Sequence, residues 1–398
     1  MTQHPRSLEW INRLISLDTT SRNSNLELIE LVAEELSRFG IEATVLPTEE
    51  GDKANLLATI PAADGTRTGG VVLSAHTDVV PVDDQDWHSD PFVPEVRDGR
   101  LYGRGSADMK SYLGVILSRL PELTSARLAE PVHLALTHDE EVGCVGGARL
   151  VQDVQRLGLE PHTCIVGEPT SMRIIRGHKS INLIEVTFTG IAAHSSLTPH
   201  GVNAIEHAAR LIRYAREQAD RWRTEGPHDD AYPVAWTTGS VNLVRGGIAG
   251  NTVPETCTLQ LEFRGLTTLD VDAVIEGIEA EAARIEADMR AEAEGSQRAG
   301  QVGVRVELLA KVPGLDTEPS SRAVELATRL GAEPSDGKVT YGTEAGQFAG
   351  TGIATVVCGP GDIAQAHAAD EYVELAQIEA CENFVDRLVA ELSTEEDR

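Results

Sequence analysis

Apolar and polar residues follow two different periods along this chain, and the switches between them mark out elements. Residues 7–17 and 26–39 place apolar side chains every three or four positions, which predicts amphipathic helices. Residues 41–46, 55–60 and 70–75 are short apolar runs that predict strands. The series continues with a helix over 109–123, a strand over 132–137, a helix over 147–157 and a strand over 163–166. Helices and strands alternating at this spacing predict a mostly parallel sheet covered by helices, an α/β domain of three layers. In such sheets ligands gather beyond the carboxyl ends of the strands.

Beyond residue 180 the pattern changes. Residues 182–189 alternate apolar and polar, as a half-exposed strand does. A helix over 202–222, strands over 235–243 and 255–263, a helix over 269–293 and a strand over 302–309 follow. This β-α-β-β-α-β order predicts a ferredoxin-like α+β unit. From residue 320 the first pattern resumes, with a helix to 330, a strand over 353–358 and a closing helix over 375–392. The expected organisation is one α/β domain built from residues 1–179 and 313–398, interrupted by a smaller domain over 180–312. A chain of 398 residues is long enough for two such cores.

Composition narrows the function classes. Lys plus Arg number 34 and Asp plus Glu 63, a net charge of −29 that repels nucleic acid and anionic membrane surfaces. No apolar run approaches the roughly 20 residues that span a bilayer. The stretch from Met1 to Trp10 lacks the basic-then-apolar order of a secretory signal, so a cytoplasmic location is expected. Cys144, Cys164, Cys257, Cys358 and Cys381 are widely spaced, with no CxxC pair, which predicts reduced thiols and argues against a cysteine zinc site.

Five blocks carry candidate chemistry, most of them just past a strand. His76-Thr77-Asp78 puts an imidazole beyond one, with Asp78 on the same side of an extended segment and able to bond its other nitrogen. Gly103-Arg104-Gly105 lacks the third glycine of a dinucleotide loop and the ending of a P-loop, so its glycines are read as a tight turn that presents Asp108. Asp139-Glu140-Glu141 crowds three acids after a strand, costly unless cations neutralise them. Glu168 and His367 complete the set. Each block alone also fits a structural role: a satisfied His-Asp pair, an N-cap, a solvated turn. Together they supply enough imidazoles and carboxylates for two divalent ions that share one bridging carboxylate. Nitrogen and oxygen ligands without sulfur suit zinc, with cobalt or manganese as alternatives. No GxSxG elbow of a serine hydrolase is present.

Taken together, these blocks closely resemble the co-catalytic zinc amidohydrolases, a family that includes deacetylases, desuccinylases, aminoacylases and carboxypeptidases, and the likeness extends over nearly the whole chain. The resemblance implies that Asp108 bridges two metals, with His76 and Glu168 completing one site and Glu141 and His367 the other. It implies Glu140 as general base, Asp78 as the group orienting His76, and a cis peptide bond after Asp108. The inserted domain resembles the family's lid, which forms a homodimer interface. His194 matches a histidine that reaches the partner subunit's active site, and Asn251 and Arg264 match lid positions that contact substrate. Tyr341-Gly342-Thr343-Glu344-Ala345 and Gly359-Pro360-Gly361 through His367 are most similar to the branch that deacetylates N-acetylornithine in arginine biosynthesis. On that likeness Thr343 and Glu344 are further substrate contacts, Glu344 facing a free amine or else standing as a solvated loop acid. The expected reaction is metal-dependent hydrolysis of an N-acyl amino acid, N-acetylornithine first. Succinyl-diaminopimelate, other acyl amino acids and dipeptides are alternative substrates, and a silent binding protein on the same fold is the rival of another class.

Overall fold

The structure, a computed structural model, describes residues 5–394, so the first four residues of the stretch read for a secretory signal lie outside the described residues. Contacts divide the chain into two compact units. One is Met1–His178 with Leu315–Lys338 and Thr343–Arg398; the other is Lys179–Gly314 with Val339–Gly342. In chain order the principal strands are β1 (Ala43–Pro47), β2 (Ala54–Ile60), β3 (Val71–His76), β4 (Val132–Thr137), β5 (Thr163–Pro169), β6 (Ile181–Thr189), β7 (Thr238–Gly246), β8 (Thr256–Arg264), β9 (Gly303–Val312) and β10 (Ala354–Gly359). The principal helices are α1 (Leu8–Ile15), α2 (Leu26–Arg38), α3 (Lys110–Ser118), α4 (Val145–Arg156), α5 (Ala204–Glu225), α6 (Val271–Glu292), α7 (Arg322–Arg329), α8 (Ala345–Gly350) and α9 (Leu375–Leu392).

The first unit is built on a six-stranded sheet in the order β1-β2-β4-β3-β5-β10. The β4-β3-β5-β10 pairings are parallel, while β1 and β2 add an antiparallel edge. Ser74 of β3 lies opposite Ala135 of β4 and Val166 of β5, so these strands end at a common level. Every residue of β2, β3, β4 and β5 is buried, which is why they read as apolar runs instead of alternations. Ile11, Leu14, Leu28, Val32, Leu113, Ile116, Phe384 and Leu388 bring α1, α2, α3 and α9 into the same core. Each such side chain contributes about 1.5–3 kcal/mol by leaving water.

Two departures from the sequence pattern touch elements next to the candidate site. The helix expected over 109–123 is broken at Arg119 and restarts as Leu120–Ser125. Pro121 cannot donate an amide hydrogen and its ring would strike the carbonyl four residues back, so it is accommodated only in a first turn. The strand expected to stop at 166 runs to Pro169 and carries Glu168 within it.

The second unit is an antiparallel sheet in the order β7-β8-β6-β9 with α5 and α6. This is the ferredoxin-like arrangement. Ile184, Val186 and Phe188 of β6 are fully buried and alternate with half-exposed neighbours, so the period-two pattern sorts one face into this unit's own core. Asn203 caps α5 by accepting from the Ile205 and Glu206 amides while its own amide donates to the Glu206 carboxylate at 2.9 Å. Asp270 caps α6. No helix among the described residues is long and apolar enough to cross a membrane.

Candidate metal centre

Neighbouring parallel strands in the first unit carry the candidate ligands to one level. His76 is the last residue of β3, Glu168 stands near the end of β5, and the Asp139–Glu141 turn follows β4. His367 follows β10 through the short turn Ile363–Gln365. Asp108 comes from the glycine turn ahead of α3, where Gly103 (φ 154°) and Gly105 (φ 85°) adopt conformations that other residues rarely reach, and its bond to Met109 is cis. Asp139 (φ 54°) and His367 (φ 62°) are also left-handed, a cost that persists only where surrounding structure enforces it.

The two carboxylate oxygens of Asp108 point to two different histidines. Oδ1 is 2.8 Å from His76 Nε2, and Oδ2 is 3.4 Å from His367 Nε2. Glu168 Oε1 lies 3.6 Å from His76 Nε2, and Glu141 Oε2 lies 3.0 Å from His367 Nε2. His76, Asp108 and Glu168 thus form one set, and Asp108, Glu141 and His367 another, each with donor atoms within 4.8 Å of one another. The structure therefore brings all of the predicted ligands together. Glu141 Oε1 and Glu168 Oε1 are buried oxygens with no hydrogen-bond partner, an arrangement that costs energy unless something cationic completes it. A pair of divalent ions fits these donors.

The electrostatics agree. Burial and the nearby Asp108 push Glu168 and Glu141 above the usual carboxylate range. Burial also raises Glu140, with Glu141 and Asp108 adding to it against the pull of His76. Burial alone would lower His76, but Glu168 and Asp108 outweigh it and hold its pKa well above 6.5. His367, held by Asp108 and Glu141, is raised to about 10. In the metal-free protein these histidines therefore keep protons that cations would displace.

Asp78 acts differently from expectation. His76 Nδ1 donates to the main-chain carbonyl of Asp78 at 2.9 Å, whereas the Asp78 carboxylate is 3.7 Å away. The carbonyl fixes the tautomer that leaves Nε2 free to coordinate. The carboxylate instead accepts from the Glu140 amide at 3.0 Å, the Glu141 amide at 3.3 Å and Ser21 Oγ at 2.7 Å, so it holds the acidic turn. Lys53 pairs with Asp139 at 2.5 Å and steadies the same turn, and the Cys144 thiol donates to Glu140 Oε1 at 3.2 Å.

Sequence reasoning missed Glu371. Its carboxylate is buried and accepts from the amides of Gly105 (3.1 Å), Ala107 (2.8 Å) and Asp108 (3.0 Å), and from Arg104 Nη1 at 2.7 Å. The only available signal was an acid four residues beyond His367, on no recognisable element.

Thr343 and Glu344 are both buried, as are His76, Asp108 and Glu168. Thr343 Oγ1 lies 3.1 Å from His178 Nε2, and Glu344 accepts from Ser74 Oγ at 2.6 Å. Glu344, at the start of α8, is therefore not a solvated loop acid. In the second unit, His194 is exposed with Nδ1 2.8 Å from Ser196 Oγ, and the Ser195 amide donates to the Asn251 carbonyl at 2.9 Å. Arg264 pairs with Glu262 at 2.5 Å.

Residues 72–391 match the family described as peptidase family M20/M25/M40. The chain belongs to that family. This M20 chain is 32% identical, over 99% of its length and all of the relative's, to an acetylornithine deacetylase of Pasteurella multocida. It is likewise 32% identical, over 97% of its length and 96% of the relative's, to an acetylornithine deacetylase of Proteus mirabilis. Among solved structures it shares the fold of an M20 family metallo-carboxypeptidase from Sulfolobus solfataricus, at a TM-score of 0.71, 19% identity and coverage of 96% and 98% of the two chains. A dinuclear metal-binding M20 peptidase from Bacillus subtilis has the same fold at a TM-score of 0.59, 15% identity and coverage of 97% and 98%. The M20 chain is a metal-dependent hydrolase.

Proposed function

We propose that this protein hydrolyses N-acetyl-L-ornithine to L-ornithine and acetate with two divalent ions, zinc first among them. The observation that carries the metal reading is the division of Asp108 between two histidines, each backed by a further carboxylate. The substrate reading is supported by 32% identity, over nearly the full length, to two acetylornithine deacetylases. His76 and Glu168 would hold one ion, Glu141 and His367 the other, with Asp108 shared between them.

Bound there, divalent ions would polarise the amide carbonyl and make water a better acid near neutral pH. Glu140 accepts a proton from the attacking water as the new carbon–oxygen bond forms. It then gives that proton to the amide nitrogen, the carbon–nitrogen bond breaks, and the amine leaves with acetate as the other product. Asp78 and Cys144 keep Glu140 in place for both transfers. His194 stands as a proposed catalytic group reaching the partner subunit's active site, Asn251, Arg264, Thr343 and Glu344 as proposed substrate contacts, and a homodimer through the second unit as the proposed assembly.

Parallel turnover of N-acetylornithine, succinyl-diaminopimelate and a dipeptide by the zinc-loaded protein tests the substrate. The expected result is the highest kcat/KM on N-acetylornithine. A clear preference for either other compound would replace that substrate while leaving the metal centre standing. Tight binding without hydrolysis of any of the three would favour a silent binding protein.

A further inference from the structure

The bridging ligand Asp108 and the terminal ligand His367 stand on separate loops, and an unbroken hydrogen-bonded path joins their main chains. It begins where Glu371 accepts from the Ala107 and Asp108 amides. Glu371 pairs with Arg104 at 2.7 Å, and both side chains are 1% exposed. Arg104 Nη2 donates to Gln85 Oε1 at 2.6 Å, and Trp87 Nε1 donates to the same oxygen at 3.0 Å. Gln85 Nε2 then donates to the main-chain carbonyl of His367 at 2.9 Å. With two donors aimed at its oxygen and a carbonyl facing its nitrogen, the Gln85 amide has one orientation that satisfies every partner.

We propose that Gln85 is a positioning residue for the metal centre: through Arg104 and Glu371 it locks the His367 loop to the Asp108 turn, and so sets the affinity of the His367 site alone. The inference rests on the two-metal reading above. The path explains why His367, exposed and in a left-handed conformation, stays aimed at Asp108: its loop is tied through its own carbonyl. Arg104 reinforces the tie by donating to the Ala368 carbonyl at 3.3 Å. The path meets His76 only through Asp108, whose Oδ1 lies 2.8 Å from His76 Nε2, while His76 itself is fixed by its own strand and by the Asp78 carbonyl. The two sites therefore depend on residue 85 unequally.

Glu371 and Arg104 are poor test positions, because removing one member of a buried ion pair leaves a stranded charge and threatens the fold. Gln85→Glu is sharper. It keeps an acceptor for Arg104 and Trp87 but replaces the donor to His367 by an oxygen that repels the carbonyl. Gln85→Ala deletes the amide without adding charge. The metal-stripped full-length protein and both variants are titrated with zinc by calorimetry, and His367→Ala identifies which equivalent belongs to the His367 site. That equivalent should weaken by about tenfold or more in each Gln85 variant, the range seen when an outer hydrogen-bond partner of a ligand is lost, while the other equivalent stays at the wild-type affinity. Equal shifts in both equivalents, including no shift in either, would overturn the proposal. A wild-type protein that takes up fewer than two ions would instead count against the two-metal reading.

Discussion

Turnover should depend strongly on Glu140 and metal uptake only weakly. Its carboxylate lies beside the proposed ligand Glu141 but belongs to neither donor set. Glu140→Gln should bind two ions with affinities close to wild type and lose about 10²–10⁴ in kcat, the range for removing a general base. Metal titration beside steady-state kinetics checks this, and near-normal kcat would remove Glu140 from the role. His367 makes a second prediction. Its pKa stands at about 10 in the metal-free protein, above the ordinary 6.5, because Asp108 and Glu141 accept from its ring. That raised pKa favours the metal-free fold most fully below pH 6.5, and the contribution fades as the pH climbs through 10. Coordination needs the neutral imidazole, so metal uptake at pH 7 expels the proton and affinity falls as the solution is acidified. Calorimetry in buffers of different ionisation enthalpy should show net proton release; uptake without release would contradict the assignment. At this scale the proposed ligands could be picked out of the chain because each stands in or just beyond an apolar run or beside a glycine turn. Glu371 and Gln85 were not, since their partners lie far off in sequence and only tertiary folding brings them together. The alternative of Glu344 as a solvated loop acid failed for the same reason: a polar residue in a loop pattern gives no sign that the loop turns inward.

Among the elements, the turn between β4 and α4 links fold and chemistry most directly. Gly146 sits in its path: a Cβ there would lie 2.2 Å from the His138 carbonyl oxygen and 2.7 Å from Asn55 Oδ1. Asn55 in turn donates to the Gly146 carbonyl at 2.9 Å and accepts from the His138 amide at 3.1 Å, so the close approach is built in. Gly146→Ala should cost about 1–3 kcal/mol, as overpacking does, and should lower kcat at temperatures where the variant is still folded. Gly300→Ala, with nothing within 4 Å, should leave both unchanged. Thermal unfolding and activity measured together check the pair. Long elements with a clear period and a cap, such as α5 behind Asn203, were readable to within a few residues. The three-residue strands Glu95–Arg97 and Arg100–Tyr102 were not, because so short a run holds no period to recognise.

For the whole molecule, the first unit carries the metal donors and the second has a core of its own. The candidate metal centre concentrates Asp108, Glu141 and Glu168 in a buried place, so metal content should be linked to stability. Zinc at a hundredfold excess over its Kd should stabilise the fold by about 2.7 kcal/mol per independent site. Chelation should therefore lower the Tm and zinc should restore it; a Tm indifferent to zinc would contradict this. The most direct measurement is anomalous diffraction at the zinc edge from crystals of the zinc-loaded protein. Two peaks about 3.5–4 Å apart are expected, one within about 2.2 Å of His76 Nε2, the other within the same distance of His367 Nε2, and Asp108 between them. A single peak, or peaks away from Asp108, would contradict the account.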